Sequence, residues 1–392
     1  MPLRLAVDNQ DGTACIGKVA NGGTLLTLTW SDGAVSRFNA VWLRHNAQDS
    51  QTVQLSTGQK HIDIEQLDPA TQIVDAHLNA NNQVEVTFAP DGHHSIFDPT
   101  WLFASKYDYN GGPVRDEVAL RPWGSELGDN LPSFEWPEVA NDAAAKDRWY
   151  RAVVELGFAI LHQVPAEKRY VEKVVASFGK IKESRLGKTF DVKCVPDPSN
   201  LAFTAKGLSL HTDNPYRNPV PGLQLLHCLQ NSFAGGESVV ADGFKAADLL
   251  REENSSHYDL LSSTDVQFRY KTNDAWFEDA APLIALDRQG RPKQIRYNNR
   301  SMLGPIAPVD IVENWYDALR HFAEILRRSE LNVTFKMDTG DLFIVDNHRV
   351  LHARTAFCAS EPRLLEGAYA ELDWMESRYR LASSRRSKVA TK

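Results

Sequence analysis

The second half of the chain is a succession of short apolar runs, each cut off by a turn: "LQLLHCL", "ESVVADGF", "DVQFRYK", "PLIALD", "QIRYNN", "DLFIVDN" and "LLEGAYAEL". Runs this short, rich in branched and aromatic residues and bounded by turn formers, read as strands rather than helices. Strands packed so densely along a chain bury their faces by forming two sheets against each other. The expected fold is therefore mainly β with flanking helices, a double-stranded β-helix (jelly roll) over residues 141–392. "NDAAAKDRWYRAVVELG" reads as one flanking helix, with Asn141 or Asp142 as cap and Trp149, Val153, Val154 and Leu156 as its stripe. "IVENWYDALRHFAEILRR" reads as another. Residues 1–100 read as a small β-rich domain, in which "GGTLLTLTW" and "AVSRFNAVWL" form a hairpin around Ser31-Asp32-Gly33. The Pro-, Gly- and Trp-rich stretch 101–140 reads as an irregular linker.

The formal net charge of -8 gives no support to a nucleic-acid or anionic-membrane partner. The opening "MPLRLAVDNQDG" has no apolar core of signal-peptide length, and no window approaches a membrane span. The four cysteines, at 15, 194, 228 and 358, are scattered and form no CxxC pair. A disulfide framework is not expected, and a reducing cytoplasm is the expected location.

Within the strand-rich half, "GLSLHTDNP" places an acid two positions after a histidine. On a strand, residues i and i+2 share a face, so His211 and Asp213 would point at one spot. An imidazole and a carboxylate are two thirds of the 2-His-1-carboxylate set, which leaves positions open on Fe(II). In "GDLFIVDNHRVLHARTAF" both His348 and His352 compete to be the third ligand. His348 falls in the presumed turn at Asp346-Asn347-His348, whereas His352 lies past an apolar pair and shares a face with Arg354, so His352 is the choice. Arg363 opens the strand "RLLEGAYAEL", where a guanidinium suits a bidentate grip on a carboxylate.

The blocks "LSLHTDNP", "PGLQLLHCL", "GGESVVADGF", "GDLFIVDNHRVLHARTAF" and "RLLEGAYAELDWMESRYR" resemble the γ-butyrobetaine hydroxylase branch of the taurine-dioxygenase-like superfamily, in order and spacing. "WSDGAVSRFNAVWLRHN" resembles that branch's small accessory domain. The resemblance implies an Fe(II)- and 2-oxoglutarate-dependent hydroxylase that uses O2, with ascorbate as reductant in assays, and a homodimer. It places iron on His211, Asp213 and His352, the distal carboxylate of 2-oxoglutarate on Arg363, and Leu226 and Ser238 along the co-substrate pocket. In one respect the sequence departs from the pattern. The branch continues into a zinc-binding cysteine cluster, but here "HNAQDSQTVQLSTGQKHIDI" has no cysteine, and His45 and His61 alone cannot supply four ligands. No structural zinc is expected.

The branch acts on quaternary ammonium compounds held in an aromatic cage. By resemblance Phe190, Phe203 and Tyr369 match cage positions, while Leu186 stands where an aromatic is usual. Asn200 and Asn299 match positions that bind the substrate's anionic end. Arg300 follows directly, where the butyrobetaine pattern has no arginine. A guanidinium beside the anion suits a doubly charged phosphonate. The combination resembles the enzymes of this branch that hydroxylate 2-(trimethylammonio)ethylphosphonate at C1 in organophosphonate degradation, which implies that substrate, with γ-butyrobetaine, giving L-carnitine, as the alternative.

Overall fold

The computed structural model describes residues 15–107, 118, 120–193, 204–231, 235–357 and 363–390. The chain divides between residues 117 and 118 into two compact units.

The first unit holds two antiparallel three-stranded sheets. One comprises Ile16–Asn21, Leu25–Trp30 and Val35–Asn39, and the other Gln72–Leu78, Val84–Ala89 and His94–Phe97. Alternation along Leu25–Trp30 turns Leu26, Leu28 and Trp30 inward, where they join Phe38, Val84, Val86, Phe88 and Phe97 in one core. The hairpin turn closes through Trp30 N–H donating to the Ala34 carbonyl at 2.8 Å, with Gly33 at φ +84°. Its second arm is shorter than expected. The strand stops at Asn39, and Ala40–His45 is helical because its apolar positions, Ala40 and Leu43, are spaced three apart rather than two. In the loop without cysteines, Asp49 accepts from His93 Nε2 at 2.8 Å and Ser95 Oγ at 3.0 Å. Arg44 pairs with Asp91 at 2.7 Å. His45 Nδ1 lies 2.8 Å from Lys60 Nζ.

The stretch 101–140, expected to be irregular, carries regular structure at both ends. The helix Pro99–Ser105 is capped by Asp98, and near the other end lie the strand Ser133–Glu135 and the helix Trp136–Asn141. Pro137, one of the prolines that suggest a linker, sits in the first turn of the helix Trp136–Asn141, where a missing N–H costs nothing. Trp123 and Trp136 are buried in the core of the second unit.

The second unit is the jelly roll. The larger sheet runs Ile181–Lys182, Leu364–Ala370, Leu223–Gln230, Leu342–Asp346, Phe158–His162 and Ser133–Glu135, with Thr189–Val192 also paired to Leu364–Ala370. The smaller runs Leu208–His211, Val350–Arg354, Ser238–Asp242 and Asn332–Phe335. Leu223, Leu225, Val240, Val333, Phe343 and Val345 belong to the single core cluster that both sheets contribute to. Ala143–Leu156 is a helix, capped by Asp142 through Ala145 N–H at 2.7 Å and ended by Gly157 at φ +85°. A β-carbon at Gly157 would stand 2.6 Å from Val350 Cγ2, so only glycine fits there.

Asp242 and Arg349 tie the smaller sheet to its surroundings. Their side chains are 0% and 1% exposed, and Arg349 Nη2 lies 2.8 Å from Asp242 Oδ2. Arg349 also donates to the carbonyls of Glu155 and Arg121, both at 2.8 Å. Asp242 caps the helix Gly243–Glu253 through the Phe244 and Lys245 amides. Each charge therefore satisfies the other, and neither tolerates being alone. Arg349→Met is expected to cost about 3–5 kcal/mol in urea unfolding of this unit, and a loss below about 1 kcal/mol would show that Asp242 is not held as described.

Candidate metal centre

His211 ends one strand of the smaller sheet and His352 lies inside its neighbour, with their Cα atoms directly opposite each other in the antiparallel register. Opposed residues project to the same face, and the two imidazole centroids lie 4.4 Å apart. The strand ends at His211, so the strand alternation expected to aim Asp213 does not operate. Asp213 sits in the bend beyond, and Asn347 sets its direction. Asn347 Oδ1 accepts from Asp213 N–H at 2.6 Å, and its Nδ2 donates to the Asp213 carbonyl at 3.0 Å and to that of Pro221 at 2.9 Å. The competing histidine, His348, has Nε2 3.3 Å from the Val220 carbonyl instead.

One oxygen of the carboxylate faces the rings. Asp213 Oδ1 is 3.4 Å from His211 Nε2 and 3.9 Å from His352 Nε2. His211 Nδ1 must donate to the Ser209 carbonyl at 2.8 Å, because that oxygen can only accept, and this leaves Nε2 as the ligating atom. Burial, and then the neighbouring His211, push the pKa of His352 down to about 3. Burial alone would raise the Asp213 carboxyl, but hydrogen bonding and the two histidines outweigh it and hold the group well below the usual carboxylate range. An ionised carboxylate beside an unprotonated imidazole is the state a divalent metal requires. His211, Asp213 and His352 form the one such cluster found among the described residues, with their donor atoms within 4.8 Å of one another. Two nitrogens and one oxygen fit iron(II) with open positions.

The cluster opens into a cavity of about 530 Å³. Arg363, Leu226 and Ser238 line it, as do Arg300, Phe190 and Tyr369. The Phe190 and Tyr369 centroids are 5.3 Å apart. Phe190 is paired opposite Gly367, and a β-carbon there would lie 2.3 Å from the Phe190 ring. Asn299 is exposed and does not line the cavity, whereas its buried neighbour Asn298 does. Asn200 and Phe203 lie outside the described residues.

The pattern of the family described as "Taurine catabolism dioxygenase TauD, TfdA family" matches residues 117–369, and "Gamma-butyrobetaine hydroxylase-like, N-terminal" matches residues 18–103. The chain belongs to the TauD/TfdA dioxygenase family. Its relatives include the gamma-butyrobetaine dioxygenase of Pseudomonas sp. (strain AK-1), 34% identical over 93% of this chain and 95% of that one. The Homo sapiens gamma-butyrobetaine dioxygenase is 31% identical over 93% and 96%. The mitochondrial trimethyllysine dioxygenase of Bos taurus is 27% identical over 86% and 81%. As a TauD/TfdA dioxygenase the protein uses iron(II) and 2-oxoglutarate. No helix among the described residues is long and apolar enough to cross a membrane.

Several residues of this TauD/TfdA site were not singled out in the sequence. Gln224 donates to Asp213 Oδ2 at 2.5 Å, and Asn347 clamps the Asp213 main chain. Tyr216, Tyr270 and Phe277 form another aromatic wall of the cavity, with Tyr216 and Tyr270 stacked at 5.2 Å. The signal for Gln224 was present: it is a polar residue in a run that is otherwise buried and apolar around it. Asn347→Ala removes the clamp on Asp213 and is expected to weaken anaerobic Fe(II) binding about 10–100-fold, read by titration of the apoprotein. Unchanged affinity would show that the bend holds Asp213 without it.

Proposed function

We propose that this dioxygenase hydroxylates a zwitterion carrying a trimethylammonium group at one end and an anion at the other. The observation that carries the reading is a cavity holding an aromatic pair, Phe190 and Tyr369, together with a guanidinium, Arg300. Among the described residues no side chain pairs with or hydrogen-bonds that guanidinium. Arg300 is exposed overall yet lines the cavity; partial desolvation lowers its pKa against the opposing pull of Asp213, and its charge in turn bears on His352. Arg300 is thus an unspent positive charge close to the metal cluster.

These placements support the following division of labour. His211, Asp213 and His352 hold iron, and Arg363 holds the far carboxylate of 2-oxoglutarate, with Leu226 and Ser238 beside it. Arg363 can reach inward because residue 236 is glycine at φ +72°, where a β-carbon would stand 3.1 Å from Arg363 Nε. When bound, iron(II) would activate O2 as the oxidant while 2-oxoglutarate gives up two electrons in decarboxylating to succinate and CO2, one oxygen atom entering succinate and the other the substrate C–H bond. The protein's own contribution is to choose the C–H bond. Phe190 and Tyr369 receive the cation on their π faces while Arg300 receives the anion, so the carbon between them is fixed over the metal.

The names of the relatives support γ-butyrobetaine as the substrate, which yields L-carnitine. A second reading, 2-(trimethylammonio)ethylphosphonate, is supported by Arg300, because a phosphonate carries more charge for a guanidinium to meet. None of the relatives named above is described by a phosphonate substrate. Succinate release with Fe(II), ascorbate and 2-oxoglutarate is to be counted for each compound at equal concentration. The butyrobetaine reading expects the higher kcat/KM with γ-butyrobetaine, and the reverse order selects the phosphonate. Absence of substrate-dependent succinate with both would overturn the zwitterion assignment. Arg300→Ala is expected to raise KM roughly 10–100-fold with kcat little changed, as for a charge-assisted contact made equally in ground and transition states. Unaltered kinetics would remove Arg300 from the site.

A further inference from the structure

We infer that Gln224 and Tyr369 act together as positioning residues that restrict Asp213 to a single ligating oxygen, an inference that rests on the reading of His211, Asp213 and His352 as the iron site. The two carboxylate oxygens have different surroundings. Oδ1 faces both imidazoles, at 3.4 Å from His211 Nε2 and 3.9 Å from His352 Nε2. Oδ2 accepts from Gln224 Nε2 at 2.5 Å and from Tyr369 Oη at 2.8 Å.

The donors are themselves a matched pair. Gln224 and Tyr369 stand directly opposite each other where Leu223–Gln230 pairs with Leu364–Ala370, so both project from the same face of the larger sheet. The smaller sheet supplies the imidazoles through one cross-strand pair, and the larger sheet answers with another. Tyr369 Oη must be the donor, because the carboxylate oxygen it faces at 2.8 Å can only accept. Gln224 is buried and its Oε1 has no partner among the described residues, so its only side-chain hydrogen bond is to Asp213. With its main chain clamped by Asn347, the carboxylate cannot turn Oδ2 toward the histidines without losing both charge-assisted bonds.

This matters because a carboxylate that chelated through both oxygens would occupy a further coordination position. A keto acid that binds through two oxygens, and leaves a place for O2, needs three positions free. Gln224 and Tyr369 thereby protect the co-substrate's place rather than the metal's grip. A role confined to packing would lower stability and leave 2-oxoglutarate affinity alone.

The test uses the full chain as Tyr369→Phe, Gln224→Leu and the double variant, with His352→Ala as reference. Fe(II) affinity is measured by anaerobic titration, and 2-oxoglutarate affinity by the visible charge-transfer absorbance that develops when it is added to the ferrous protein. Tyr369→Phe keeps the ring and removes one oxygen, so it reports even if the double variant folds poorly. The double variant is expected to bind 2-oxoglutarate about tenfold or more weakly while Fe(II) affinity shifts by no more than about threefold, and Tyr369→Phe to move the same way by less. The inference falls if 2-oxoglutarate affinity is unchanged in all three variants, or if Fe(II) affinity drops in proportion. If His352→Ala binds Fe(II) like the unmodified protein, the iron reading itself is wrong. If His352→Ala loses iron while the double variant binds 2-oxoglutarate normally, the restriction on Asp213 alone is refuted.

Discussion

The antiparallel register that sets His211 opposite His352 is what the rest of the site depends on. A slip of one residue between these strands would send one imidazole to the far side of the sheet, and no local adjustment could return it. The register is reinforced on the other side of the His352 strand, where Val240 stands opposite His352 and Asp242 opposite Val350. The buried Asp242–Arg349 pair then pins the end of that strand pair to the helices Ala143–Leu156 and Gly243–Glu253. A metal site built this way is placed by backbone hydrogen bonds and a buried ion pair, so its geometry is set before any ion arrives.

The two sheets contribute different chemistry at their junction. The smaller brings the two imidazoles and the larger brings hydrogen-bond donors for the carboxylate between them. The hydrogen bonds from Gln224 and Tyr369 to Asp213 Oδ2 leave Oδ1 as the oxygen that faces the imidazoles. The aromatic pair and Arg300 are arranged around that junction, so substrate selection and metal chemistry share residues. Tyr369 belongs to both, with its ring on the cavity and its hydroxyl on Asp213.

The strand-rich half and its jelly roll were legible because each run was short, apolar and punctuated. The metal cluster was legible because His211, Asp213 and His352 combine a two-residue spacing with an apolar strand bearing a histidine. The means of orientation was less legible. Asp213 lies past the strand end and depends on Asn347, a contact between segments far apart in sequence that no periodicity reveals. The same holds for the hydroxyl of Tyr369, which in sequence reads only as an aromatic wall. Asn298 and Asn299 are adjacent polar residues in a turn, and only the turn's geometry decides that Asn298 and not Asn299 lines the cavity. The arm "AVWL" and the stretch 101–140 were misread for a related reason. Trp and Pro signal an irregular segment or a helix start equally well until a cap such as Asp98 is seen in place.

The most direct measurement is anomalous diffraction at the iron edge from crystals of the ferrous protein. A single peak bound by His211 Nε2, His352 Nε2 and Asp213 Oδ1, with Asp213 Oδ2 still on Gln224 and Tyr369, is what these relationships predict. A peak elsewhere, or one that leaves His352 uncoordinated, would contradict them.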